Sequence, residues 1–479
     1  MMMKKFLKWI SFILLLLACI VVGLLIFQMA KLHVIPMKYF ALLCVFLTLI
    51  TFLVFFMSLK LPIIGMILLV VCIGISSLGN IYIYKTRQAL KIIDQTDEEV
   101  VEYSLKTLKD SSNPIQKVGV LTAGSEQLQA KSLEKLGSSY EVIPYTSYID
   151  FGYGLYNGEV DALLVSDQYK ECLEEIHPEF EKDTKAVDSF QVCSKIRDRK
   201  TTADITKEPF NVYITGRDAR AEGTSGHSRS DANILISVNP NTHQILMLGI
   251  PRDFYIPQTC QNNQKDKLTH TGMYGVACTV DSVENYLETP IDYYLEVNFK
   301  SLVQVVDSLG GITVHSPNDF VSKNNYHFVK GDNKMDGKHA LSFARERKAF
   351  QDGDRERSRN QMRVLKAIIK RILSPSIVKN YPKLMEVLPK SFRTNFTSDE
   401  IASFVRLQLE DGKGWNMQQI QVKGSDDMVM SPAFLQELYV MVPYEDTVEN
   451  AKVLIQKVMD GGTITDEDVE KQEEIINRW

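Results

Sequence analysis

The sequence predicts an α/β protein carried on a membrane anchor. It should have three N-terminal transmembrane helices, a small α/β accessory domain, and a second, larger α/β domain with a mixed sheet. Three observations predict this. Long charge-free apolar runs crowd the first 87 residues. Short β-branched runs then alternate with helical patterns, the mark of an α/β unit. After a polar stretch near residue 200 the alternation resumes around a hairpin. The expected boundaries are 1–87 for the anchor, 88–200 for the accessory domain, 210–375 for the core, and 376–479 for an extension of helices and a strand packed on it.

Residues 6–29 contain one charge, Lys8, and residues 39–59 and 62–82 contain none. About 20 apolar residues span the hydrocarbon layer, so three spans are expected. A cleavable signal peptide is the alternative for the first, but no small-residue cleavage site follows and two more spans come next. Lys4, Lys5, Lys8 and Lys60 fall on one side, and Lys31, Lys38, Lys85, Arg87 and Lys91 on the other. That count leaves orientation open. An odd number of spans places the N-terminus and the large C-terminal part on opposite sides.

Residues 88–110 read as a helix leaving the membrane, broken by "SSNP". Residues 117–122, 140–146 and 161–167 read as strands, with helices at 125–137 and 169–176 between them, suggesting a parallel sheet. Residues 197–210 are polar and read as a linker. "FNVYIT" opens the next domain. "ANILISVNP" and "QILMLGIPRDFYI" form a hairpin about "NPNTH". "DSVENYLETP" and "DGKHALSFAR" are helical, and "YYLEVNFKSLVQVVDSLGGITV" reads strand, helix, strand. "WNMQQIQVKG" is a further strand.

Cys19, Cys44 and Cys72 fall one in each apolar run and act as small apolar residues. Cys172 with Cys193, and Cys260 with Cys278, would suit disulfides in an oxidising exterior, the alternative being four unrelated thiols. None has zinc-ligand spacing.

The chain has 479 residues and a net charge of −5, yet six arginines lie between Arg345 and Arg363. A helix from about Asp354 would align Arg355, Arg359 and Arg363 on one face, with Arg357 and Gln361 in a neighbouring row. A salt-bridged surface helix using Asp352, Asp354 and Glu356 is the plain reading. Arginine, however, suits bidentate phosphate binding. Nucleic acid is one such polyanion; the acidic balance and membrane anchor favour a membrane-adjacent phosphate or pyrophosphate, and no nucleic-acid partner is expected. Asp218 in "GRDAR" and Asp231 in "RSDANILISV" sit at strand ends, where a Mg²⁺ ion could take carboxylates together with a phosphate. Arg220, Arg229 and Arg252 are near them in sequence. His270 in "KLTHTGMYG" could line the site with Lys267, the alternative being a structural histidine, the commoner role of a lone one. No G-x-S-x-G elbow occurs, so a serine hydrolase has little support.

Five motifs in order, "GRDAR", "RSDANILISVNPNTHQILMLGIPRDFYIP", "KLTHTGMYG", "LEVNFKSLVQVVDSLGGITV" and "DGKHALSFARERKAFQDGDRERSRNQ", make residues 210–375 similar to the LytR–CpsA–Psr family. Three spans plus an accessory domain resemble its streptococcal capsule-synthesis branch. The resemblance implies an extracytoplasmic, membrane-anchored transferase that moves a glycopolymer, here capsular polysaccharide, from a polyprenyl-pyrophosphate carrier to peptidoglycan. Its implied partners are that lipid-linked polysaccharide, peptidoglycan and other capsule-synthesis membrane proteins. Its implied cofactor is Mg²⁺ (or Mn²⁺), with Asp218 and Asp231 as metal ligands. Asp231, Arg252 and Asp354 are the implied catalytic residues. Arg229, Arg252, Arg345, Arg347, Arg357, Arg359 and Gln361 form the implied pyrophosphate-binding set. The chain departs from the family where Arg355-Glu356 replace Phe-Gly and Asn360 replaces an arginine, and Arg359 is expected to supply that charge. The alternatives are a membrane-bound regulator and a non-catalytic lipid-phosphate sensor.

Overall fold

In a computed structural model the chain is described except at residues 1, 33, 95–97, 123–125, 170–172, 175, 198–203, 218–228 and 375–376. It forms two compact units. One contains Met1–Asp94, Val378–Pro389 and Phe396–Gly414, and the other Gln95–Ile377, Lys390–Asn395 and Trp415–Trp479.

In the first unit the helices Met2–Leu32, Met37–Lys60 and Pro62–Ile93 contain the three segments long and apolar enough to cross a membrane, Phe6–Leu32, Met37–Lys60 and Pro62–Ile93. Their large apolar side chains stand outward; Leu42 and Ile75 are 68% and 66% exposed. Such a surface suits hydrocarbon rather than water. Several polar groups within the bundle bond to backbone carbonyls, as hydrocarbon favours: Thr51 Oγ1 donates to the Leu47 carbonyl at 2.7 Å and Thr86 Oγ1 to the Tyr82 carbonyl at 2.9 Å. The Asn80 side chain donates to the carbonyls of Val21 (3.0 Å) and Ser76 (2.9 Å), tying the first and third helices.

The second unit holds two sheets. The smaller has the strand order Glu141–Tyr145, Lys117–Leu121, Ala162–Ser166, Glu98–Leu108, Thr184–Lys195. The first three run parallel, as expected. The last two pair antiparallel, so the sheet is mixed. Residues 98–108 therefore correct the expectation of one helix over 88–110: the membrane helix ends at Ile93 and a strand follows. Val101, Tyr103, Leu105 and Thr107 are buried in alternation. This period of two marks a half-buried strand. The expected linker is also anchored: buried Arg197 pairs with Asp281 and Glu284, both at 2.8 Å.

The central sheet has the order Phe392–Thr394, Tyr293–Asn298, Phe210–Arg217, Ser230–Asn239, Gln244–Gly249, Asn416–Gln421. The expected hairpin occupies its middle, and both parallel and antiparallel pairs are present. Both edge strands come from beyond residue 376, so the C-terminal part completes the sheet. Helices Val276–Leu287 and Glu445–Met459 bury Val280, Val283, Leu454 and Ile455 in one core with Tyr213, Leu235 and Leu248 of the sheet. A second core joins the accessory domain to the main one: the Tyr148 ring stacks on Tyr274 at 5.4 Å, and its hydroxyl donates to the Met273 carbonyl.

Cys260 and Cys278 form a disulfide. Closing a loop of this size stabilises by about 3 kcal/mol in the chain-entropy picture. Cys193 is an exposed free thiol, and Cys172 lies outside the described residues. His270 is structural: it is buried, with Nδ1 3.0 Å from the buried Asp266 carboxylate.

Candidate active site

Two helices and the turn between them carry the arginines. Asp336 caps the first, Gly337–Arg345, its carboxylate accepting from His339 N at 2.9 Å. Gly337 is required there, because a Cβ would meet the Val303 carbonyl oxygen at 2.3 Å. The second helix, Gly353–Ile372, opens with its backbone against the turn: a Cβ on Gly353 would lie 2.4 Å from the Arg347 carbonyl oxygen.

Between the helices lies Glu346, only 4% exposed. One of its oxygens accepts from the backbone N–H of Arg347, Lys348 and Ala349, and the other from Lys323 N. The carboxylate thereby ties down the turn that presents Arg347 and Lys348. Sequence reasoning passed over it, although a single acid between Arg345 and Arg347 was a visible signal. Glu346→Ala would leave these N–H groups without their acceptor, at about 1–3 kcal/mol for each one left buried and unsatisfied. Affinity of the arginine-bearing turn for inorganic pyrophosphate, the probe for the expected ligand, should fall about tenfold, about 1.4 kcal/mol, which calorimetric titration would measure. An unchanged affinity would remove Glu346 from the site's construction.

Asp231 owes its position to the sheet. Strand Phe210–Arg217 pairs Gly216 with Ala232 and Arg217 with Ser230, so Asp231 is skipped in the register. Such a bulge re-aims a side chain. A buried network holds it in place: Tyr213 and Ser230 hydroxyls both donate to Asn233 Oδ1 (2.7 and 2.6 Å), and Thr215 Oγ1 lies 2.6 Å from Ser230 Oγ. Asp231 Oδ1 accepts from Arg252 Nη1 at 2.7 Å. Arg252 Nε lies 3.4 Å from Asp253, which also faces Lys267 at 3.4 Å.

These parts enclose a cavity of about 590 Å³. Of the expected residues, Asp231, Arg252, Arg345, Arg347, Arg357 and Gln361 line it, joined by Lys323, Lys338 and Lys348. Four arginines and three lysines therefore face two carboxylates, and those of Glu346 are occupied by backbone N–H groups. Cations so concentrated repel one another unless an anion enters. Burial would lower the Arg252 pKa, but the carboxylates of Asp231, Asp253 and Asp354 outweigh it and raise the value. Burial lowers that of Arg357, helped by Arg252 and Arg347 and opposed by Asp354. Both guanidinium groups stay charged at neutral pH. Arg345 lies 4.4 Å over the Phe299 ring; Phe299 and Leu341 give the wall an apolar side.

Three expected residues stand elsewhere. Arg359 is corrected: its Nη2 lies 2.8 Å from Glu473 and its Nη1 3.4 Å from Glu356, and it does not line the cavity. Arg355 also binds Glu473, and Arg363 binds Glu356. The Arg355–Arg359–Arg363 row thus pairs with carboxylates and lies outside this cavity. The neighbouring row, Arg357 and Gln361, faces the cavity. Arg229 is exposed, with its guanidinium 5.9 Å from the Phe434 ring, and is also outside the lining. Asp354 is behind the arginines rather than among the lining groups, 2.6 Å from Arg357 and 3.9 Å from Arg347.

Asp218 lies outside the described residues. Asp231 Oδ2 has no hydrogen-bond partner among the described residues, and no group of three or more His, Cys, Asp or Glu side chains gathers among them. Among the described residues, the Asp231 carboxylate beside this cationic cavity fits Mg²⁺, which binds through one or two carboxylates, phosphate oxygens and water.

A model of the LytR_cpsA_psr family matches residues 176–451. The chain is 37% identical over 210 residues to a Bacillus licheniformis protein named polyisoprenyl-teichoic acid–peptidoglycan teichoic acid transferase TagU. That match covers 43% of this chain and 67% of the relative. It is 31% identical over 299 residues to an uncharacterized protein of Staphylococcus aureus, covering 60% and 70%. Among solved structures, Bacillus subtilis TagV is 30% identical and covers 53% of this chain and 98% of its own, with a TM-score of 0.46.

Proposed function

Because the chain belongs to the LytR–CpsA–Psr family, we propose that it is a membrane-anchored transferase that moves a glycopolymer from a polyprenyl-pyrophosphate carrier to peptidoglycan. We infer further that the glycopolymer is a capsular polysaccharide, on the pattern of three spans and an accessory domain. The relative named TagU handles teichoic acid by its name; the polymer is where this chain would differ.

The observation that carries the reading is the cavity in which Arg252, Arg345, Arg347 and Arg357 converge beside Asp231. Planar guanidinium groups bind phosphate oxygens two at a time. Phe299 and Leu341 supply apolar contact for the start of a polyprenyl chain. In the proposed reaction an acceptor hydroxyl attacks the sugar–phosphate linkage. Its proton passes to a carboxylate, Asp231 or Asp354; attack at the sugar-bearing phosphorus breaks the P–O–P bond and releases the lipid phosphate, and attack at the anomeric carbon breaks the C–O bond and releases the lipid pyrophosphate. The arginines stabilise charge that develops on the phosphate oxygens. A Mg²⁺ (or Mn²⁺) ion held at Asp231 would neutralise part of the same charge.

The test is incubation of the full chain with a lipid-linked glycan and peptidoglycan, followed by detection of the joined product. Lipid binding without product would favour a sensor. The reading also requires the site to face outward, and the Cys260–Cys278 disulfide supports an oxidising compartment. A reporter active only in the cytoplasm, fused after Trp479, should be silent. A bright signal would favour the regulator reading instead.

A further inference from the structure

A second cavity, of about 310 Å³, lies next to the first. Pro251 lines one and Arg252 the other, so a single turn of chain separates them. Asp354 lines the second cavity while its carboxylate contacts Arg357 of the first at 2.6 Å. It therefore stands between the two.

The character of the second cavity is different. Its lining carries an aromatic platform: Tyr444 and Trp479 stack with ring centroids 4.5 Å apart and planes 15° from parallel. The indole Nε1 donates to both carboxylate oxygens of Asp446 at 3.1 Å, which fixes the ring. Tyr444 covers one indole face, yet Trp479 remains 60% exposed, so the other face is open. A large, rigidly held, exposed aromatic surface points to a ligand. Around it are carboxylates and hydroxyls, Asp352, Asp426 and Ser425, together with two cations, Arg355 and Lys423; Arg355 is already paired with Glu473 at 2.6 Å and Asp352 at 3.4 Å. Aromatic faces stack on the C–H faces of pyranose rings, while carboxylates accept hydrogen bonds from sugar hydroxyls. Three carboxylates outnumber two cations here, whereas seven cations face two carboxylates in the first cavity, so the lipid-linked end of the donor belongs in the first.

We propose that the Tyr444–Trp479 cavity is the acceptor subsite, binding a saccharide of the peptidoglycan glycan strand so that one hydroxyl reaches Asp354. The proposal rests on the transferase reading for the acceptor's identity. The saccharide chemistry itself rests on the platform and its carboxylates. Asp446 is a positioning residue that acts through Trp479.

The test uses the full chain in lipid nanodiscs. Its probes are a β-1,4-linked N-acetylglucosamine tetramer and a peptidoglycan tetrasaccharide released by muramidase. Trp479→Ala should weaken binding of at least one probe by tenfold or more. Asp446→Ala should weaken it about threefold to fivefold. Lipid-phosphate affinity should stay within twofold in both, which also certifies that the variants are folded. In transfer assays Trp479→Ala should raise the acceptor KM by at least tenfold and leave kcat within threefold. Absence of probe binding to the wild-type protein would overturn the subsite. So would equal binding by Trp479→Ala, or transfer with an unaltered acceptor KM. Should saccharide binding be lost in Trp479→Ala while the wild-type protein transfers nothing, the transferase reading fails and the saccharide site stands. If Trp479→Ala alone does not fold, Asp446→Ala decides, and unchanged saccharide binding in it overturns the proposal.

Discussion

Asp231→Ala should abolish measurable transfer, lowering the rate by about a hundred- to a thousandfold or more, the size expected when a group that takes the acceptor proton is lost. The bulge between the central strands aims this carboxylate at the cavity, and Arg252 Nη1 holds it at 2.7 Å. Removing it takes away the one described cavity carboxylate with an oxygen left over. The arginines remain, so lipid-phosphate affinity should change by less than about threefold, well under one unit of charge-assisted binding. Single-turnover transfer and equilibrium lipid binding, measured on the same preparation, separate the two effects. Near-wild-type transfer would remove Asp231 from the chemistry. Equal losses of transfer and of thermal stability would make its role structural.

Arg357→Ala should act on binding instead. Arg357 is largely enclosed, lines the cavity and pairs with Asp354 at 2.6 Å. A charge-assisted contact is worth about 1.5–3 kcal/mol, so lipid-phosphate affinity should fall about ten- to a hundredfold. Arg357→Lys should recover only part of it, because an ammonium lacks the planar fork. Arg359→Ala provides the contrast. Its partners are Glu473 and Glu356, so it should lower the melting temperature with little effect on lipid affinity. If the two alanine variants lose affinity equally, the division of the arginine helix into a binding row and a carboxylate-paired row is wrong.

That division shows what one dimension of sequence can carry. Helical spacing placed Arg355, Arg359 and Arg363 on one face and Arg357 with Gln361 beside them, and this geometry holds in the helix Gly353–Ile372. Spacing could not say which face met the cavity. The deciding partner of Arg355 and Arg359 is Glu473, more than 110 residues away. Glu346 escaped notice for a related reason. Its role comes from four backbone N–H groups that converge only when the turn is folded.

By itself the sequence determined the features that local chemistry settles. Uninterrupted apolar length specified three membrane-spanning helices, because an exposed charge or broken backbone is costly in hydrocarbon. Alternation and turn residues specified the central hairpin, and the order of motifs specified the family. Only the tertiary structure decided that residues 98–108 form a strand, that the C-terminal part closes both edges of the central sheet, and that Asp231 sits in a bulge. It alone decided that Asp354 stands between a cationic cavity and an aromatic one. Each of these depends on pairing between residues far apart in the chain, where hydrogen-bond partners, ion pairs and cavity walls are set by packing rather than by any neighbour's identity.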